Sequence, residues 1–255
     1  MTRARTVAAV SLAGALGAAL GAAGWTLRLP DVKALARRAP RTTAYIELRR
    51  REAAARGRPF RLRWVWTPYE RISPFLRQAV VTAEDDGFWR HDGIDWEALR
   101  QAWRRDLKAG RPAAGGSTIA MQLARNLYLS PAKNPFRKLK EMLIARRLEK
   151  TLGRTRVLEL YLNVVEWGPG IFGCEAAARA YFGKSCADLD ADESAALAAV
   201  LPNPRRWNPA SRGPYVKRNS ARIAGRLRAA GLWPQEPDPA MAVSSAAAAS
   251  EAGAP

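Results

Sequence analysis

A carboxyl group among other acids is the first candidate for chemistry in this sequence. Glu84 lies in the segment AEDDGFWRHDG and is followed directly by Asp85 and Asp86. The preceding residues read as a helix ending near Asp86, which places Glu84 at the negative end of the helix dipole. The dipole and the neighbouring acids disfavour ionisation, so they raise the carboxyl pKa as a general base or acid near neutral pH requires. The alternative interpretation is a turn of three solvated acids.

A glycine-rich turn, GGST at residues 115–118, precedes a second helical segment. Backbone N–H groups at a helix N-terminus suit a phosphate, and glycine allows the ligand to approach the backbone closely. We expect Ser117 either to cap the helix or to contact this ligand, with Thr118 in the same turn. Gln122 and Arg125 follow on the next turns and are expected to face the same cleft.

A third helical segment carries the residues RKLKE, in which Arg137 and Lys138 precede Glu141 by four and three positions. This spacing places both cations on the same helix face as Glu141. One interpretation is a surface ion pair of little energetic value. In the functional interpretation the cations hold a pyrophosphate, and Glu141 orients them or a divalent metal. Lys133, from the same basic region, is included as a candidate substrate ligand.

The charge of the chain indicates an anionic partner. The 255 residues carry a formal net charge of +19, which suits nucleic acid, a membrane surface or a phosphorylated substrate. Residues 28–63 contribute +9 and residues 100–156 contribute +12, but residues 64–99 between them contribute −4. An acidic segment between two basic ones fits a carboxylate that works beside a bound anion better than a protein that only coats DNA.

Histidine and cysteine are too scarce for several classes of site. The chain has one histidine, His91, and two cysteines, Cys174 and Cys186. This nearly excludes zinc sites built from several such ligands, and it excludes a fold based on many disulfides. His91 is predicted to be structural, bonding near the acidic turn. Whether the two cysteines pair is left open.

Helices are predicted to position the candidate residues, and the fold class is mainly α. Ser73-Pro74 reads as an N-cap followed by proline at the first helical position, with Gly87 as the stop. The best strand-like alternation is at residues 61–66. Further helices are predicted in the basic segment 31–62, from residue 119 onward, and over 135–152, 157–163, 192–201 and 214–230.

Residues 7–27 are predicted to span a membrane. They are uncharged, and about 20 such residues cross the hydrocarbon core as a helix. Arg3 and Arg5 precede them, which places the N-terminus in the cytoplasm. A cleaved signal peptide is the alternative. The predicted organisation is a cytoplasmic N-terminus (1–6), a transmembrane helix (7–27), a basic membrane-proximal linker (28–63), a folded domain (64–232) and a disordered tail (233–255).

In their order, these segments resemble the motifs of the peptidoglycan glycosyltransferases, glycosyltransferase family 51. The pattern E-D-x-x-F-x-x-H-x-G matches residues 84–93, G-G-S-T-I-x-x-Q-L-x-x-N matches 115–126, and R-K-x-x-E matches 137–141. A fourth motif resembles RVLELYLN at 156–163, and the whole resemblance covers roughly 64–209. Two positions depart from it. Met121 stands where many members carry Gln, and Arg125 stands where many carry Lys, which changes the geometry of a phosphate contact.

The resemblance implies a lysozyme-like fold, in which a larger and a smaller, membrane-proximal lobe flank a cleft. It implies an inverting enzyme that polymerises lipid II into β-1,4-linked glycan strands, with the chain on undecaprenyl pyrophosphate as donor. The catalytic residues would be Glu84, as general base on the acceptor 4-hydroxyl, and Glu141. The substrate-binding residues would be Asp85, Ser117, Thr118, Gln122, Arg125, Lys133, Arg137 and Lys138.

The resemblance also implies a place in the cell and a set of partners. The expected location is the bacterial cytoplasmic (inner) membrane, with one pass and the catalytic domain in the periplasm. The expected partners are lipid II, the membrane, and other cell-wall synthesis and division proteins, without nucleic acid. A divalent cation, Mg²⁺ or Mn²⁺, is left open as a cofactor, and moenomycin is expected to inhibit. Since no transpeptidase domain follows, a monofunctional enzyme is expected.

Two other functions compete with this interpretation. A lytic transglycosylase or lysozyme-like hydrolase would cleave peptidoglycan with Glu84 as the acid. The R-K-x-x-E segment disfavours it, because a neutral glycan carries no pyrophosphate. A basic, membrane-anchored nucleic-acid-binding protein is the second alternative, and the predicted orientation and the acidic segment disfavour it.

Overall fold

The described part of the chain is mainly helical. The computed structural model describes residues 29–109, 115–129, 135–211 and 213–233, together with Gly17 and Gly24. Three short strands are present: β1 (Arg63–Trp64), β2 (Glu166–Gly168) and β3 (Ile171–Phe172). The helices are α1 (Ala44–Ala55), α2 (Pro74–Glu84), α3 (Trp96–Ala109), α4 (Ile119–Tyr128), α5 (Pro135–Leu152), α6 (Arg154–Val164), α7 (Cys174–Phe182), α8 (Ala191–Val200) and α9 (Pro214–Ala229).

Most predicted helices are confirmed, with differences at their ends. α2 begins at Pro74 as predicted but ends at Glu84, before Asp86. Ser73 precedes it without capping it, because its hydroxyl donates to the backbone oxygen of Leu189 at 2.7 Å. α8 begins one residue earlier than predicted, since the capping residue is Asp190. α3 and α7 were not predicted from the sequence.

Several predicted features lie outside the described residues. The predicted transmembrane segment 7–27 is described only at Gly17 and Gly24, and the tail beyond residue 233 and Lys133 are not described. Among the described residues, no helix has both the length and the apolar character needed to cross a membrane. The proposed domain boundaries therefore stay predictions. Cys174 and Cys186 are both buried free thiols.

Two groups of helices build the core. In the first group α2, α8 and α9 pack against one another, and in the second α4 packs against α5 and α6. All residues of α6 from Val157 to Val164 are buried, which is the pattern of a helix inside a domain. α4 buries seven of its ten residues, so the candidate side chains on α4 stand on a helix fixed by the core.

The three strands form a small sheet that contacts α7. Their order is β1-β3-β2, with β1 parallel and β2 antiparallel to β3. The predicted strand segment 61–66 contains β1, but β2 and β3 are too short to show an alternating pattern. Gly173 follows β3 with a φ of +78°, and a Cβ there would lie 2.8 Å from the backbone oxygen of Asn163. Only glycine fits this close approach.

Asn163, at the end of α6, ties the segment after β1 to the core. Its side chain is fully buried. Its Oδ1 accepts from the backbone N–H of Thr67 at 2.7 Å, and its Nδ2 donates to the backbone oxygens of Thr67 and Glu159, each at 2.8 Å. The side chain of Asn163 thus pairs both the backbone N–H and the backbone oxygen of Thr67.

We expect Asn163→Ala to lower the free energy of unfolding by about 2–4 kcal/mol, because it leaves buried backbone groups of Thr67 unpaired. Urea denaturation of the full-length protein measures this change. Asn203→Ala is the matched control, since Asn203 is exposed, and its effect should stay within about 0.5 kcal/mol. Equal effects of the two substitutions would contradict the role of Asn163.

Candidate active site

Asp85 joins the end of α2 to the beginning of α4. Its carboxylate is buried. One oxygen, Oδ2, accepts from the backbone N–H of Ile119 at 2.9 Å, and the other, Oδ1, bonds to His91 Nε2 at 2.8 Å. A carboxylate on the first N–H groups of a helix is favoured by the helix dipole. Both oxygens are used within the protein, and His91 bonds in the acidic turn as predicted.

This connection places Glu84 beside the second turn of α4. Gln122 Nε2 donates to Glu84 Oε2 at 2.8 Å. Burial raises the pKa of Glu84 above its ordinary value, and Asp85 adds to this, while the bond from Gln122 and the charge of Arg125 oppose it. The helix dipole and the neighbouring acids in the sequence predicted the direction of this pKa shift. Burial, the largest cause, is visible only in the folded protein.

Tyr161, on α6, completes a chain of hydrogen bonds to Glu84. Its hydroxyl donates to Gln122 Oε1 at 3.0 Å. The ring is fully buried, and burial raises the pKa of the hydroxyl well above its usual value, so Tyr161 remains a donor. Tyr161 was assigned no role from the sequence, in which its only signal is a place in the fourth motif.

Glu141 is the centre of a buried cluster of charges. Its carboxylate is fully buried. Arg137 Nη1 donates to Oε2 at 2.5 Å, and Lys138 Nζ donates to Oε1 at 2.9 Å. Lys138 also donates to the hydroxyl of Ser117 at 2.6 Å. These contacts exclude the surface ion-pair interpretation for Glu141, and they bring the R-K-x-x-E segment to the glycine-rich turn.

Arg125 connects Glu84 with the Glu141 cluster. Its charge lowers the pKa of Glu84 and also that of Lys138, whose pKa is lowered chiefly by burial. The Nε atom of Arg125 is buried and has no hydrogen-bond partner among the described residues. A buried guanidinium N–H without a partner is costly, and an anionic ligand would satisfy it.

The two hydroxyls of the glycine-rich turn have different tasks. Thr118 caps α4, since its Oγ1 accepts from the backbone N–H of Met121 at 3.2 Å and donates to the backbone oxygen of Gly93 at 2.7 Å. Ser117 faces Lys138 instead. A Cβ on Gly116 would lie 2.9 Å from Ala102 Cβ, so packing against α3 requires this glycine. Close approach of a ligand was the predicted reason.

A metal has poor support from the residues that the structure describes. Glu141, the predicted metal partner, already bonds to two cations. Asp85, His91 and Asp95 bring ligand atoms within 4.8 Å of one another. Asp85 Oδ1 and His91 Nε2 already bond to each other, and Asp95 Oδ1 accepts from the backbone N–H of Ala98 at 2.8 Å. A cation there would compete with these bonds, so this group of residues gives little support for a metal site.

Comparison with known proteins is consistent across most of the chain. The family model described as Transglycosylase matches residues 49–228. A protein of Aromatoleum aromaticum named biosynthetic peptidoglycan transglycosylase is 50% identical over 188 residues, which cover 74% of this chain and 81% of that protein. Proteins with the same name are 46% identical in Azoarcus sp. (78% of this chain, 84% of that protein) and 42% identical in Nitrosospira multiformis (76% and 84%).

We expect Thr118→Val to lower the free energy of unfolding by about 1–2 kcal/mol, because it removes the cap of α4 and the bond to Gly93. Ser117→Ala, in the neighbouring position, should change it by less than about 0.5 kcal/mol, since Ser117 contributes to the charged cluster and not to the helix end. Urea denaturation of both full-length variants measures the difference. A larger loss from Ser117→Ala would contradict this division of tasks.

Proposed function

The chain belongs to the transglycosylase family, and on this premise we propose that it polymerises peptidoglycan glycan strands from lipid II. The growing chain on undecaprenyl pyrophosphate is the donor, and the 4-hydroxyl of lipid II is the acceptor. One observation carries the proposal. A partly buried carboxyl of raised pKa, Glu84, and a cluster of cations around Glu141 lie at the two ends of a region that Arg125 connects.

Glu84 serves as the general base in this proposal. Its carboxylate accepts the proton of the acceptor 4-hydroxyl while the hydroxyl oxygen bonds to the anomeric carbon of the donor. A raised carboxyl pKa makes the base stronger at neutral pH. Gln122 donates to Oε2, and the other oxygen is the one we assign to the proton.

The cations act on the leaving group. As the new bond forms on the opposite face, the bond between the anomeric carbon and the pyrophosphate oxygen breaks, and the configuration inverts. The developing negative charge is stabilised by Lys138, Arg137 and Arg125. Pyrophosphate leaves well with this assistance, so no second carboxylic acid is needed to protonate it. Glu141 holds two of these cations in place.

The same cluster argues against the hydrolase alternative. A hydrolase acts on a neutral glycan, in which the leaving sugar oxygen has to be protonated by an acid. Glu141 is fully buried, and each of its carboxylate oxygens already accepts a hydrogen bond from a cation, so neither oxygen is placed to protonate a leaving sugar oxygen. The cations have no counterpart in a neutral glycan substrate, whereas a pyrophosphate accounts for them.

A membrane location belongs to the same proposal, since both substrates carry a polyprenyl tail. We assign residues 7–27 as the anchor, with the catalytic domain in the periplasm. α3 supports it, because Trp96, Trp103 and Leu107 share one helix face and are 59%, 66% and 72% exposed. Such a face suits a lipid surface. We further propose the lysozyme-like arrangement of two lobes, with α3 on the smaller, membrane-proximal lobe.

Glu84→Gln should slow polymerisation by at least about a hundredfold, because an amide accepts no proton at neutral pH. Labelled lipid II and gel separation of the glycan products measure this rate in the full-length protein, and lipid II binding should persist. Since burial raises the pKa of Glu84, ionisation costs stability as pH rises through that pKa. The Gln variant therefore should be no less stable than the natural protein at neutral pH.

The control for this prediction is Glu97→Gln, which makes the same change at an exposed carboxyl on α3. It should polymerise at the natural rate. Mature peptidoglycan, offered separately, should not be shortened by the natural protein. Polymerisation that survives in Glu84→Gln would remove Glu84 from the mechanism, and shortening of mature glycan without polymer growth would favour the hydrolase.

Protease treatment of intact spheroplasts tests the location. We expect a protease added outside to digest the domain at residues 64–232, while a cytoplasmic marker protein stays intact. Loss of an epitope tag at the C-terminus measures the digestion. A domain that is protected until the membrane is broken would place it in the cytoplasm, in contradiction to the proposal.

A further inference from the structure

Tyr161 ends a hydrogen-bond chain that begins at Glu84. The Tyr161 hydroxyl donates to Gln122 Oε1 at 3.0 Å, and Gln122 Nε2 donates to Glu84 Oε2 at 2.8 Å. The three residues come from α6, α4 and α2, so the chain joins both groups of core helices. Tyr161 is fully buried, which keeps competing water away from its hydroxyl.

The orientation of the Gln122 amide decides which form of Glu84 is stabilised. An amide has one donating end and one accepting end. With Tyr161 donating to Oε1, the donating Nε2 faces Glu84 and stabilises the carboxylate. If the amide turned over, Oε1 would face Glu84, and the two groups would share a bond only when Glu84 is protonated.

We propose that Tyr161 is a positioning residue for the reaction, because its hydroxyl fixes the Gln122 amide in the orientation that donates to the ionised Glu84. This inference rests on the proposed function, in which Glu84 accepts a proton. Tyr161 is buried behind Gln122 and acts through it, not by contact with the substrate. Its task is to keep the base ready in an environment that opposes ionisation.

Charged groups from neighbouring elements act on the same carboxyl. Burial raises the pKa of Glu84, Arg125 of α4 lowers it, and Asp85 raises it. Arg226 of α9 reaches the same end of α2, where it pairs with Asp86 at 2.9 Å. These influences do not depend on which way the amide is turned, so they form a constant background for a change at position 161.

Tyr161→Phe removes only the hydroxyl and tests the inference. The rate of a general base falls as pH drops through its pKa, which gives the pH profile of kcat/KM an acidic limb. We expect Tyr161→Phe to move the midpoint of this limb upward by about half to one pH unit, since the carboxylate loses an oriented donor. The rates should converge again well above the limb. Lipid II polymerisation by the full-length protein supplies the profile.

Tyr181→Phe is the matched control. The Tyr181 hydroxyl also bonds within the protein, to the backbone oxygen of Trp167 at 3.1 Å, and it belongs to α7. This variant loses a hydroxyl and a hydrogen bond of the same kind without touching Gln122. Its acidic limb should coincide with that of the natural protein, so a shift in both variants would indicate a merely structural effect.

Gln122→Met supplies a second variant and a test of the route. It removes the amide, so the midpoint of the acidic limb should move to higher pH at least as far as in Tyr161→Phe. In the Gln122→Met background, the further change Tyr161→Phe should produce no additional shift. If Tyr161→Phe did not fold, Gln122→Met would decide alone, and an unmoved limb there would overturn the inference.

The outcomes separate this inference from the proposed function. A natural protein that forms no polymer would defeat the proposed function. A natural protein that polymerises, with the same acidic limb in Tyr161→Phe, would overturn the role of Tyr161 and leave the function intact. An additional shift from Tyr161→Phe in the Gln122→Met background would likewise overturn it, because the tyrosine would then act by another route.

Discussion

The site depends on the two hydrogen bonds that the carboxylate of Asp85 makes. This carboxylate accepts from the backbone N–H of Ile119 at the beginning of α4 and bonds to His91 in the turn after α2. One buried side chain thereby holds the end of one core helix against the start of another. Glu84, the residue before it, is brought to Gln122 and Arg125 only because these two ends meet.

The position of Glu84 sets two requirements that oppose each other. Burial raises the pKa of the carboxyl, which makes a stronger base, but a base has to be ionised to accept a proton. Gln122 and Arg125 supply the opposing stabilisation from α4, and Tyr161 orients Gln122 from α6. At the other end of the site, Glu141 gathers Arg137 and Lys138. In the proposed reaction, negative charge thus meets the acceptor and positive charge meets the leaving group.

Local patterns in the sequence predicted the parts of the site, and the fold determined which of these parts contact one another. Helix spacing correctly placed Arg137, Lys138 and Glu141 on one face, because neighbours on a helix are fixed by its geometry. The contact of Lys138 with Ser117 spans 21 residues and depends on how α5 packs against α4. Likewise, Ser117 and Thr118 both qualify as caps by residue type, and only packing against Gly93 decides for Thr118. β2 and β3 were missed because their few residues carry no periodic pattern.

The ionisation of Glu84 is the most direct measurement of this arrangement. Full-length protein with ¹³C-labelled glutamate carboxyls can be titrated by NMR beside Glu84→Gln, and the difference between the spectra isolates the Glu84 signal. We predict a midpoint above 4.5, the ordinary value for glutamate, because burial outweighs the donors around the carboxyl. A midpoint at or below 4.5 would contradict a partly buried base of raised pKa and would return Glu84 to a solvated acid in a turn.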